Sequence, residues 1–240
     1  MLKITNLKKY FGGVKAVNGC SFKVEQGKIT ALIGPNGSGK TTVFNLISGI
    51  LKSDSGKIKL EEKEITNLST NRISNLGISR MFQQARLFGN LTVNENLKLA
   101  ISNEDTKFWK NLFGYKIKRK FNEILKVVQM IEHKNKLCRN LSYGQKRLVE
   151  IARSVINPHK LLMLDEPVAG VNPKLRNSIS RILKDLRKKG ETVLIIEHDM
   201  EFVLNIADNV IVMDEGKVIA QGTPEQIKNN KKVLEAYLGC

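Results

Sequence analysis

Two short stretches of this chain hold residues whose types and spacing could grip and cleave a phosphoanhydride. The first is Gly34-Pro35-Asn36-Gly37-Ser38-Gly39-Lys40-Thr41, which fits G-x-x-x-x-G-K-[ST]. Glycines let backbone N–H groups turn inward around phosphate oxygens, and a helix starting at the lysine adds the positive end of its dipole. Lys40 then reaches the β- and γ-phosphates, and the Thr41 hydroxyl ligates Mg²⁺. The second stretch, Leu161-Leu162-Met163-Leu164-Asp165-Glu166, is an apolar run ending in two carboxylates. Neighbours on a strand point to opposite sides, so the pair divides its work. Asp165 holds Mg²⁺ through its water shell, and Glu166 polarises the water that attacks the γ-phosphate. The two stretches predict binding and hydrolysis of a nucleoside triphosphate.

Such groups need elements that bring them to one edge. Residues 29–33 read as a buried strand directly before the glycine-rich turn, and 40–48 as a helix with Val43, Phe44, Leu46 and Ile47 at helical spacing. The last third alternates in the same way. A strand at 161–164 leads to a helix at 173–189 with Leu175, Ile179, Ile182, Leu183 and Leu186 on one side, then a strand at 192–196. Short strands at 209–213 and 217–220 precede a terminal helical region. Strands alternating with helices predict a mostly parallel sheet covered on both faces, with ligands at the carboxyl ends of its strands. The opening segments 2–6 and 21–26 alternate like half-exposed strands near Gly12-Gly13 and Gly27, an antiparallel flap. Between about 90 and 157 no convincing buried strand occurs, and Ile117, Phe121, Ile124, Leu125, Val128 and Ile131 form one apolar helical face. The expected fold class is α/β, a P-loop NTPase core of mostly parallel sheet between helices. It carries an N-terminal antiparallel β subdomain and an inserted helical subdomain. The whole of 1–240 forms a single domain, with the core at about 1–89 and 158–240 and the helical insert at about 90–157.

The bulk composition agrees. A chain of 240 residues with 41% hydrophobic content can bury one substantial core. It has no apolar run of about 18 residues and no apolar leader at its start, so the cytosol is the expected compartment. Cys20, Cys138 and Cys240 are too few and scattered for a disulfide framework or a metal site. Forty Lys and Arg against 23 Asp and Glu give a net charge of +17, which favours an anionic partner without choosing among nucleotide, nucleic acid and phospholipid. Lys107-Phe108-Trp109-Lys110, Tyr115-Lys116 and Lys118-Arg119-Lys120 mix basic and aromatic residues as nucleic-acid surfaces do. The preferred reading of that stretch is a solvated helix face, or one facing anionic phospholipid.

Leu141-Ser142-Tyr143-Gly144-Gln145 is followed by the apolar-periodic Leu148, Val149, Ile151 and Ala152. Ser142 is a good N-cap, and the N–H groups and dipole of the helix it starts make an anion site. In this order, after the phosphate loop and before the carboxylate pair, the segment resembles the signature of ATP-binding-cassette proteins. That resemblance implies that Ser142, Tyr143, Gly144 and Gln145 meet the γ-phosphate held by another subunit, so that two ATP molecules are sandwiched between two chains. It also implies that Phe11, just before Gly12-Gly13, stacks on adenine with Val17 beside it, and that Thr42 joins the phosphate loop in the ATP-binding set. Gln83, in Ser79-Arg80-Met81-Phe82-Gln83, resembles the glutamine that touches Mg²⁺ and water and signals to the transporter. His198, in Ile195-Ile196-Glu197-His198-Asp199, resembles the switch histidine on the γ-phosphate. Two positions depart from the commonest family pattern: Tyr143 stands where glycine is usual, and Asn172 where many members carry aspartate.

Within the family, Phe11-Gly12-Gly13-Val14-Lys15-Ala16-Val17, Phe82-Gln83-Gln84-Ala85-Arg86-Leu87-Phe88 and the tail Ala220-Gln221-Gly222-Thr223-Pro224 with Ala236-Tyr237-Leu238-Gly239 resemble the ATP-binding subunits of branched-chain amino acid importers. Lipopolysaccharide-export and urea-importer ATPases are similar too. The resemblance implies a transport ATPase using ATP and Mg²⁺, working as a homo- or heterodimer with a second cassette. Its implied partners are transmembrane permease subunits and, indirectly, an extracytoplasmic solute-binding protein, with a peripheral position on the cytoplasmic face of the cell membrane. Contact with the permease is expected near 83–91, where Leu87, Phe88 and Leu91 are apolar. Family members acting on nucleic acid or ribosomes usually carry two cassettes or long coiled coils; this chain has neither, so nucleic acid is not an expected partner. Intact Glu166 and His198 argue against a binding scaffold without turnover.

Overall fold

Alternating apolar residues build a hairpin of β1 (Leu2–Phe11) and β2 (Val14–Val24) around Gly12-Gly13. In the computed structural model, which describes residues 1–81, 87–101 and 114–238, with no description of the side chains of 114–119 and Leu238, the chain then runs through β3 (Ile29–Ile33), the phosphate loop and α1 (Lys40–Ile47). Next come β4 (Ser55–Leu60), β5 (Lys63–Glu64), α2 (Thr70–Asn75), β6 (Ile78–Met81) and α3 (Val93–Ala100). The helical stretch continues with α4 (Gly114–Val127) and α5 (Tyr143–Val155). The last third is β7 (Leu161–Asp165), α6 (Pro173–Lys188), β8 (Val193–Ile196), α7 (Met200–Ile206), β9 (Asn209–Asp214), β10 (Lys217–Gly222), α8 (Pro224–Lys228) and α9 (Lys231–Leu238).

Short, mostly apolar runs such as β3, which holds one threonine, and β7, apolar up to Asp165, cannot leave either face in water, so they become central strands. The main sheet has the order β10-β9-β3-β8-β7-β6, with β9, β3, β8, β7 and β6 parallel and β10 antiparallel on β9. Successive side chains leave opposite faces. Leu162, Leu164, Val193, Ile195, Val210 and Val212 pack with the helical stretch and with α6 and α7. Leu161, Met163, Leu194, Ile196, Ile211 and Met213 pack instead with α1 and a second, antiparallel sheet of order β2-β1-β4-β5. Each such burial stabilises by roughly 1.5–3 kcal/mol, so the strands that hold the site are the most firmly anchored part of the molecule.

The expected architecture is present, with additions. The hairpin strands extend past 2–6 and 21–26 because the halves next to the turn, mostly half-buried and without clean alternation, still pair across it through bulged registers. β4, β5 and β6 exceed the sequence reading; β6 buries only its end residues, Ile78 and Met81, so its alternation is weak. Between 90 and 157 the described residues form helices, short 3₁₀ turns and connecting loops, with one isolated bridge, Thr92 to Leu137, and no strand. Of the predicted apolar face, Phe121, Leu125 and Val128 are buried, and Ile124 and Ile131 are partly so; the side chain of Ile117 lies outside the description. These residues share one apolar cluster with β3, β7 and β8, so the helical stretch leans on the sheet instead of holding a core of its own.

Candidate active site

All five parallel strands end on one edge of the sheet, where open α/β sheets place their ligands. There β3 delivers the phosphate loop, β7 delivers Asp165 and Glu166, and β8 delivers Glu197 and His198. Gly39 caps α1 with φ 98°, a left-handed conformation that glycine takes without strain. A Cβ there would sit 2.2 Å from the Ala16 carbonyl of β2, so packing also demands glycine. The turn between β9 and β10 braces the loop: Gly216 N–H donates to Ser38 O at 3.1 Å, while Asn18 N–H of β2 donates to Gly216 O at 2.8 Å. Lys40 Nζ donates to Gly34 O and Pro35 O, each at 2.8 Å, and to Ser38 Oγ at 3.3 Å. Burial lowers the Lys40 pKa, and the charges of Glu166 and Asp165 oppose that shift. The ammonium therefore sits between the loop and the carboxylates, with Thr41 exposed and Thr42 half-buried on the first turn of α1.

Asp165 is buried, and its Oδ2 accepts from Arg80 Nη2 at 3.1 Å. Arg80 is itself oriented by Asn45 of α1 and by Ser48, which caps that helix, each at 2.8 Å, and lies over the Phe44 ring. Burial raises the Asp165 pKa against the pull of Arg80. Glu166 takes φ +47°, unusual for a residue with a side chain, and its N–H donates to Ile196 O at 3.0 Å. This bend swings its carboxylate out of the strand, so that Oε1 lies 3.6 Å from His198 Nδ1. The base and switch histidine expected from sequence are thus brought together.

Glu197 went unassigned from sequence and is fully buried beside them. Its Oε1 accepts from Val168 N–H at 3.0 Å and its Oε2 from His198 N–H at 3.3 Å. Burial pushes its pKa from the usual 4.5 up to about 7, with the Val168 N–H opposing. A folded-state pKa raised above the unfolded value means the native state holds the proton more tightly, so stability falls as pH rises from about 4.5 to about 7. Ionisation in place costs on the order of 3 kcal/mol, whereas losing one acceptor costs about 1 kcal/mol. Glu197→Gln is therefore expected to be less stable than the parent at pH 5 and more stable at pH 8, read from urea midpoints. Parallel pH profiles for the two proteins would contradict this account.

On the helical stretch, Ser142 caps α5 as its sequence implied. Its Oγ accepts from Gln145 N–H at 3.2 Å, and Gln145 Oε1 accepts from Ser142 N–H at 3.0 Å. That leaves the Ser142 hydroxyl hydrogen and the N–H groups of Tyr143 and Gly144 for an anion. A cleft of about 460 Å³ lies between this helix start and residues 170–178. Asn172 caps α6 by accepting from Leu175 N–H at 2.9 Å; asparagine and aspartate cap equally well, so this departure from the family pattern keeps the helix start. Arg147, one turn into α5, is buried against the backbone of 165–167.

Phe11 stands 46% exposed at the hairpin tip, with Lys9 Nζ over its ring at 5.4 Å from the centre. Val17 does not stand beside it at the surface: it is 0% exposed and packs inward with Leu32 and Phe44, because its position in β2 points into the second apolar cluster. It backs the loop from beneath. Gln83 lies outside the described residues, as do the rest of 82–86, residues 102–113, Gly239 and Cys240; the side chains of 114–119 do too. Sequence reasoning attached Tyr237 only to a tail motif, but burial raises its pKa and the backbone N–H of Gly34 opposes that shift, which brings the tail to the phosphate loop. Val233, buried and four residues before Tyr237, was the available signal that this tail docks.

The residues present fit Mg²⁺. Among the described residues no cluster of three His, Cys, Asp or Glu side chains forms, and Mg²⁺ needs none, because it takes one or two protein oxygens with phosphates and water. Arg80 occupies only Oδ2 of Asp165, so Oδ1 and the exposed Thr41 hydroxyl supply hard oxygen donors. When bound, the ion would neutralise charge on the phosphates.

Comparisons with known proteins agree with this geometry. The ABC transporter family model matches residues 17–169, and the model for branched-chain amino acid ATP-binding cassette transporters matches 217–239. The high-affinity branched-chain amino acid transport ATP-binding protein BraF of Pseudomonas aeruginosa is 41% identical, covering 100% of this chain and 98% of its own length. The ADP conformation of MJ1267, an ATP-binding cassette of an ABC transporter, superposes with a TM-score of 0.87 at 38% identity, covering 100% of this chain and 99% of that one. The dimeric structure of the bacterial ABC transporter cassette MJ0796 has a TM-score of 0.78 at 25% identity, covering 93% and 99%. The chain belongs to the ABC transporter family and is one of its ATP-binding, ATP-hydrolysing cassettes.

Proposed function

We propose that this cassette powers a membrane importer of branched-chain amino acids or similar small polar solutes. Two cassettes, identical or paired with a relative, close on two Mg-ATP molecules, each held by one chain's loop and the other's Ser142 helix start. Closure moves a permease on the cytoplasmic face of the membrane, and a solute-binding protein on the far side delivers cargo. The observation that carries the solute class is the tail: residues 217–239 fit the model for branched-chain amino acid ATP-binding cassette transporters. Full-length likeness to BraF supports the same class. The test is reconstitution with the permease and binding protein in vesicles. ATP-driven uptake of radiolabelled leucine, isoleucine or valine is expected. Transport only in the outward direction, or of lipopolysaccharide alone, would replace the reading with the export type.

Of Leu87, Phe88 and Leu91, Phe88 is the residue we propose for the permease contact. Its backbone is clamped by the buried Asn96, with Phe88 N–H donating to Oδ1 at 2.9 Å and Asn96 Nδ2 donating to Phe88 O at 3.1 Å. The ring is left 54% exposed, whereas Leu87 packs against the core and Leu91 is half-buried. Leu99 on α3 is exposed as well. Phe88→Ser is expected to weaken association with the permease by about tenfold or more, as a buried aromatic anchor does, while ATP affinity stays unchanged. Equal recovery of permease with parent and variant in co-purification would remove Phe88 from the contact.

A further inference from the structure

We propose that Arg147 is a positioning residue through which the signature helix of each chain holds that same chain's hydrolytic glutamate. This rests on the reading of the chain as an ATP-hydrolysing cassette. Arg147 is 1% exposed and sits on α5, five residues after the Ser142 cap. Its Nη2 donates to Asp165 O at 3.0 Å and to Glu166 O, its Nε donates to Pro167 O at 3.3 Å, and its Nη1 pairs with Glu150 Oε2 at 3.2 Å. One guanidinium thus grips three successive carbonyls at the end of β7. The same helix start reaches the next part of that loop, where the Tyr143 hydroxyl donates to Ala169 O at 3.4 Å. From the other side Glu197 accepts from Val168 N–H.

The energetics favour a positional role over a packing one. Taking a guanidinium out of water costs several kcal/mol, and an apolar side chain of similar volume would fill the same space at less cost. What an apolar side chain lacks is the planar fork of donors that fixes peptide planes. Glu166 is the residue that needs fixing: its φ of +47° costs about 1–3 kcal/mol and persists only where the surroundings dictate it. Holding the Asp165, Glu166 and Pro167 carbonyls sets where the Glu166 carboxylate points. Ser142 and Arg147 are separated by about 7.5 Å along a rigid helix. Anion capture at Ser142, which serves the partner's nucleotide, therefore shifts or steadies the group that aims the chain's own base. Hydrolysis in one site is coupled to engagement of the other through a single helix.

The test uses the 240-residue chain carrying Arg147→Lys, and separately the double variant Arg147→Met/Glu150→Met, which removes both buried charges together. Nucleotide affinity, KM, kcat and ATP-driven pairing in a Glu166→Gln background are measured for each. The expected result is affinity and KM within about twofold of the parent, pairing unchanged, and kcat lowered about tenfold or more, less for lysine than for the double variant. Turnover within about twofold of the parent in both variants overturns the proposal. Loss of pairing together with turnover overturns it too, because Arg147 would then merely shape the surface offered to the partner. A parent chain that binds no nucleotide would instead refute the ATPase reading on which this rests.

Discussion

Lys40→Ala is expected to lose ATP affinity by at least about a hundredfold while leaving a folded protein. The ammonium is the one positive side chain held inside the phosphate loop, and hydrogen bonds to charged groups contribute roughly 1.5–3 kcal/mol each. Lys40 also ties Gly34 O, Pro35 O and Ser38 Oγ together, so its removal loosens the cradle as well as subtracting a charge. Against that stands its own desolvation, seen in its lowered pKa. Alanine relieves this cost, so the thermal midpoint should move by only a few degrees. Fluorescent-nucleotide titration and thermal melts read the two quantities separately. Near-parental ATP affinity in the variant would mean that the loop amides alone hold the triphosphate.

Glu166→Gln is expected to bind ATP as the parent does, to lower turnover by about 10²–10⁴-fold, and to accumulate as an ATP-bound pair. Glutamine keeps the shape and the backbone grip of Arg147 but cannot draw a proton from water. The left-handed φ is retained, because the carbonyls of 165–167 stay held. The geometry around His198, 3.6 Å from Oε1, also survives. Single-turnover hydrolysis measures the chemical step, and size-exclusion chromatography with ATP measures pairing. A variant that hydrolyses at the parental rate would strip Glu166 of its role and point to another base.

The chemistry was legible in the linear order of residues to the extent that it depends on local backbone. The phosphate loop, the carboxylate pair and the Ser142 cap are each contained in a few consecutive residues, and each appears as read. The central strands were equally plain, because a strand buried on both faces must be apolar throughout. β4 to β6 were not plain: their residues are half-exposed and carry charge, and β6 becomes a strand only by pairing with β7. Val17 shows the converse limit. Its place beside Phe11 was implied by the family resemblance, but strand alternation turns its side chain inward.

By itself the sequence determined which groups are proposed to hold the phosphates and polarise the attacking water, since those groups lie on main-chain amides and side chains adjacent in the chain. Only the tertiary structure decided what holds them. The partner of Asp165 is Arg80, 85 residues away, and the carbonyls around Glu166 are gripped by Arg147, with Glu197 and Tyr143 closing the same loop. Buried charges of this kind leave no period or spacing to read, because their positions are set by which strands and helices meet, and a charge is stable in the interior only where its partner arrives from another element.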